Sequence, residues 1–130
     1  MNKIIDLVQT RTDLIKEFRR IPDWLETTST TDYQIWNIMF KCNLIIMDLV
    51  SPRIKQQKTI NNMVNEFMHN LHQILPYMGE VKQIRLAIYY SQLLELTGMK
   101  CLEDEQYEAC SNIKKFGDVY FKINYVDEQE

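Results

Sequence analysis

Ile60-Asn61-Asn62-Met63-Val64-Asn65-Glu66-Phe67-Met68-His69-Asn70-Leu71-His72-Gln73-Ile74-Leu75 decides the fold. Ile60, Met63, Val64, Phe67, Met68, Leu71, Ile74 and Leu75 recur at steps of three and four, which places them on one side of an α-helix at 100° per residue. Pro76, with no N–H to donate, stops that helix.

Upstream, Ser51-Pro52 pairs an N-cap serine with proline at the first helical position, so this helix is predicted to start at Ser51 with a polar first stretch. Thr31-Asp32-Tyr33-Gln34 has the form of a capping box, in which a hydroxyl and a side-chain amide satisfy exposed backbone N–H groups at a helix start. The helix it opens runs to Val50. Its apolar residues, from Ile35, Trp36 and Ile38 to Phe40, Cys42, Ile46 and Leu49, cover more than half of the wheel, which predicts the bundle's central helix. A first helix is expected over residues 2–20, where Ile4, Leu7, Val8, Leu14, Ile15 and Phe18 share a side with Arg11 among them. Ile21-Pro22 ends it, because the residue before proline is pushed out of the α region. In the polar linker that follows, Trp24 and Leu25 either close over the core or anchor a partner.

Downstream, a fourth helix is predicted over residues 80–97, ending on Gly98 as a left-handed cap. Arg85, Gln92 and Glu95 mark its wet side, and Ile84, Leu86, Ala87, Tyr89, Tyr90, Leu93, Leu94 and Leu96 wrap the rest, leaving spare apolar surface. A fifth helix opens on Glu103, Asp104 and Glu105, carboxylates suited to a positive helix end. Leu102, Ala109, Cys110, Ile113 and Phe116 form its stripe, and Gly117-Asp118 reads as its end. In the tail, Val119, Phe121, Ile123 and Tyr125 alternate as in a strand, while Phe116, Tyr120 and Ile123 suit a helix. With glycine only at 79, 98 and 117 and proline only at 22, 52 and 76, the expectation is an all-α, single-domain bundle of about five helices with a short C-terminal tail.

A chain of 130 residues hides about two-thirds of its unfolded surface in one core, and its 45% apolar and 25% charged residues are ordinary globular usage. The net charge of -3 gives little pull toward phosphate backbones. Basic residues nevertheless favour the first half. Arg11, Lys16, Arg19 and Arg20 with Arg53, Lys55 and Lys58 make a basic face if the first helix lies beside the start of the third, and a nucleic-acid complex is the alternative partner. Asp6 and the Arg11-Thr12-Asp13 that follows deny the start the long apolar stretch of a signal peptide, Lys41 and Asp48 interrupt the most apolar run, and three cysteines make an odd number without framework spacing. The expected compartment is the reducing cytoplasm, a host's if the chain is viral. Fifteen Ile and nine Asn fit an AT-rich genome such as that of a virus, phage or low-GC bacterium.

Chemistry finds little footing. Glu66 and His69 make an E-x-x-H step of the kind di-iron bundles use, but one copy only, and it falls opposite the apolar stripe. His69, His72, Cys101 and Cys110 lack the tight pairs of a structural zinc site. No phosphate loop or nucleophile elbow is present. No cofactor, metal or catalysis is therefore expected. The expectation is a binding protein acting on another protein and on itself, as inhibitor, regulator or assembly subunit, through Trp24, Leu25, Tyr89, Tyr90, Tyr120, Phe121 and Tyr125.

Overall fold

The structure, a computed structural model, describes residues 9–10, 12–14 and 30–123, with only the backbone of residues 30–33. It is an all-α bundle. Helix α1 spans Thr30–Leu49, α2 Gln57–Ile74, α3 Glu80–Glu103 and α4 Tyr107–Phe121, with a 3-10 turn at Leu75–Tyr77 between α2 and α3. Residues 9, 10 and 12–14 are helical too, and no strand occurs among the described residues. The side chains of Thr31, Asp32 and Tyr33 in the capping box lie outside what is described.

Helix α2 turns the predicted stripe inward: Ile60, Val64, Phe67, Leu71 and Ile74 are buried. Phe67 is its hub. Its ring meets Tyr90 of α3 at 4.9 Å, Phe116 of α4 at 5.5 Å and Tyr120 of α4 at 5.7 Å, all edge to face. That is the geometry aromatic quadrupoles prefer. Helix α4 packs on α1, α2 and α3, and α2 packs on α1 and α4. The centre therefore belongs to α2 and α4. The expectation that the helix ending at Val50 would be central is corrected, since α1 buries Ile35, Met39, Cys42, Ile46 and Leu49 but leaves Trp36, Phe40 and Leu44 outside.

Four boundaries differ from the predicted ones. Residues 51–56 form a loop rather than the start of α2, because the side chain of Asn112 takes over their backbone: its Nδ2 donates to the carbonyls of Leu49 at 3.2 Å and Arg53 at 2.9 Å, and its Oδ1 accepts from the Lys55 N–H at 2.7 Å. Ser51 acts as a turn residue, its Oγ accepting from the Arg53 N–H at 3.3 Å. Helix α3 passes through Gly98 without a positive φ and continues to Glu103.

The real stop is at Glu105, whose φ of 59° is left-handed. The Glu105 N–H donates to the Leu102 carbonyl at 3.0 Å and the Gln106 N–H to the Cys101 carbonyl at 2.7 Å. This pair of bonds is a Schellman motif with glutamate at the position glycine usually takes. The carboxylates at 103–105 thus close α3 rather than open α4. Nor does α4 end at Gly117: Val119, Tyr120 and Phe121 are helical, which rules out the strand reading for them.

Polar groups tie the N-terminal segment to this turn. Thr10 Oγ1 donates to Asp104 Oδ2 at 2.6 Å, Lys100 Nζ lies 3.4 Å from Asp13 and 3.3 Å from Asp104, and Leu14 is buried in the core. Partial desolvation works against the Lys100 charge, but hydrogen bonds and attraction from Asp104 and Asp13 outweigh it and raise its pKa.

Candidate functional site

Helix α3 is 24 residues long, about 36 Å at 1.5 Å per residue. One of its faces serves the core: Leu86, Tyr90, Leu93, Leu94, Thr97 and Cys101 are buried. The opposite face carries Val81, Ile84, Ile88, Leu96, Met99 and Leu102, each between 43% and 65% exposed. Intervals of three and four within Val81–Ile84–Ile88 and Leu96–Met99–Leu102, and of eight between the two groups, bring them to one side of the helix. Exposed Arg85, Gln92, Glu95 and Glu103 stand among and beside them.

A second exposed apolar line runs along α1 at i, i+4, i+8: Trp36, Phe40 and Leu44, with the Trp36 and Phe40 rings stacked at 5.6 Å and 13°. Between α3 and α4 lies a groove of about 390 Å³, lined mostly by apolar atoms of Leu94, Gly98, Leu102, Ile113, Gly117 and Phe121. Cys110 borders it, its thiol 3.8 Å from the Gly98 carbonyl. Leu102 and Glu95 belong to both the groove and the α3 face, so the two surfaces are continuous.

The residues singled out from the sequence separate. Tyr90 and Tyr120 are fully buried, which corrects their reading as partner-binding residues. Each is held as a core ring around Phe67, and Tyr120 donates its hydroxyl to the Ala87 carbonyl at 3.0 Å. Tyr89 is half-buried and edge-on to Tyr90 at 5.1 Å. Phe121, 39% exposed, lines the groove. Trp24, Leu25 and Tyr125 lie outside the described residues.

Of the proposed basic face, Arg11, Lys16, Arg19 and Arg20 also lie outside the described residues. Arg53 and Lys58 are exposed, while Lys55 sits in the Asn112 clamp with its ammonium 3.8 Å from Asp48. The described part is thus two exposed cations and one neutralised by a neighbour.

Val81, Ile88 and Met99 were missed as surface residues, and Leu102 belongs to α3 rather than to the stripe of the following helix. Their three-to-four spacing was readable. Arg85, Gln92 and Glu95, read from the sequence as the wet side, are exposed on this same side.

Ionisable groups do not converge on a reactive centre in this part of the chain. Glu66, His69 and His72 are exposed on α2, and no three His, Cys, Asp or Glu side chains are grouped to hold a metal among the described residues. Burial pushes the Cys42 and Cys101 thiols up to about 12 and raises that of Cys110 as well. Protonated thiols are weak nucleophiles at neutral pH. The Tyr90 hydroxyl lies against the Cys42 thiol, a soft partner, and no stronger one reaches it among the described residues; burial and then nearby Cys42 raise its pKa. None of the described helices is long and apolar enough to cross a membrane.

No protein-family model matches the chain, and no curated protein or solved structure matches it either.

Proposed function

We propose that this chain is a non-catalytic binding protein, an inhibitor, regulator or assembly subunit, that engages another protein through the outer face of α3. The carrying observation is the line Val81, Ile84, Ile88, Leu96, Met99 and Leu102, exposed apolar residues in two groups on one side of the helix with Gln92 between them. Single exposed apolar residues are ordinary, but several gathered on one helix face mark an interaction surface, because covering them removes apolar area from water at about 25 cal/mol per Å². The α3–α4 groove extends the patch. Three unbridged thiols at Cys42, Cys101 and Cys110 suit a reducing compartment such as the cytoplasm.

The test is affinity capture from the native source with two baits, the wild-type chain and an Ile84→Glu/Met99→Glu variant shown to be folded by circular dichroism. A protein retained by the first and lost from the second is the expected result. Identical retention on both baits overturns the assignment of the face.

A further inference from the structure

The exposed face of α3 reads nearly the same in both directions. Val81, Ile84 and Ile88 form an apolar group at one end, Leu96, Met99 and Leu102 form another at the other end, and Gln92 lies midway. Such a surface suits a second copy of itself across a twofold axis, where residue i meets residue j and j meets i.

Charge sets the direction. Lys82 and Arg85 accompany the N-terminal group, whereas exposed Glu95 and Glu103 accompany the C-terminal one. Parallel alignment of two α3 helices puts like charge on like, and antiparallel alignment sets each basic end against an acidic end. Lys100, taken up by Asp13 and Asp104, does not join this pattern, and neither does Glu80. The latter occupies the first position of α3, where the positive helix end favours a carboxylate on other grounds.

We propose that α3 pairs antiparallel with α3 of a second copy of this chain, the twofold axis passing close to Gln92. This deepens, and rests on, the reading of α3 as a binding face. In the pair, Val81 of one copy faces Leu102 of the other, Ile84 faces Met99, and Lys82 lies within reach of Glu103. Leu102, which also edges the α3–α4 groove, makes that groove the lateral border of the contact.

Sedimentation equilibrium over a concentration series at low salt is the test, with a reciprocal charge exchange. The wild-type chain is expected to dimerise, Lys82→Glu and Glu103→Lys each to weaken the dimer by about fivefold or more, since each contact occurs twice, and the double exchange to restore it. Direction is read by thiol crosslinking in a Cys110→Ala background. Gln92→Cys should crosslink with itself, while Val81→Cys should crosslink only when mixed with Leu102→Cys. A chain monomeric throughout, a dimer indifferent to the charge exchanges, or self-crosslinking of Val81→Cys overturns the pairing. The capture experiment above decides the wider reading independently, since a monomer that still retains a face-dependent foreign protein leaves that reading intact.

Discussion

Asn112 and Lys55, 57 positions apart in the chain, are joined by a 2.7 Å hydrogen bond from the Lys55 N–H to the Asn112 Oδ1. The same side chain donates to the carbonyls of Leu49 and Arg53, and Lys115 Nζ donates to the Lys55 carbonyl at 2.9 Å. One buried amide on α4 thus satisfies three backbone groups around the α1–α2 connection. Asn112→Ala leaves a donor and two acceptors short of partners and should destabilise the chain by ~2–4 kcal/mol. Asn112→Asp should do at least as much harm, because it sets a carboxylate against two carbonyl oxygens. Urea denaturation gives the values. A loss below about 0.5 kcal/mol for Asn112→Ala would show that the clamp is dispensable.

Residue choice at the end of α3 runs against conformational preference. Gly98 sits inside the helix without a positive φ, where a methyl group would touch Ile113 Cγ2 at an ordinary 3.6 Å, while Glu105 carries the left-handed φ. Gly98→Ala should stabilise by about 0.5–1 kcal/mol through helix propensity and unfolded-state entropy. Glu105→Gly should gain on the order of 1 kcal/mol by removing the left-handed penalty. Both are read as rises in thermal midpoint, and a fall on either substitution contradicts the backbone assignment at that residue.

Two buried tyrosines should respond differently to loss of their hydroxyls. Tyr120→Phe breaks the 3.0 Å bond to the Ala87 carbonyl and should cost roughly 0.5–1.5 kcal/mol. Tyr90→Phe removes a hydroxyl whose partner among the described residues is only the Cys42 thiol, so its effect should be near zero or stabilising. Equal losses in the two variants would show that Tyr90 has a stronger partner than the thiol.

Alkali should weaken the fold through its thiols. Burial moves the Cys42 thiol from 9.0 to about 12, and Cys101 shifts the same way with a further contribution from Cys110. The unfolded chain releases these protons above pH 9 and the folded chain holds them, so stability is complete below pH 9 and falls as pH rises toward 12. The slope for Cys42 is about 1.4 kcal/mol per pH unit. Urea midpoints measured from pH 8 to 11 should decline less steeply in Cys42→Ala than in wild type. Parallel curves would mean that Cys42 ionises as freely in the folded chain as in the unfolded one.

Helical class and most of the α2 core were legible from spacing alone, because three-to-four periodicity is a local property that backbone geometry turns directly into a buried stripe. Ile60, Val64, Phe67, Leu71 and Ile74 follow from it without reference to any other part of the chain. The outward side of α3 was legible as well, since Arg85, Gln92 and Glu95 are exposed on it, but which helix lies at the centre and where the helices stop were decided only in three dimensions. Asn112 overrides the helix start at Ser51, Glu105 takes the turn that Gly98 was expected to take, and Phe67 draws Tyr90 and Tyr120 inward away from any partner. The physical reason is that each of these outcomes is a competition between segments far apart in sequence, for a hydrogen bond or for room around one ring, and local pattern carries no record of the competitor.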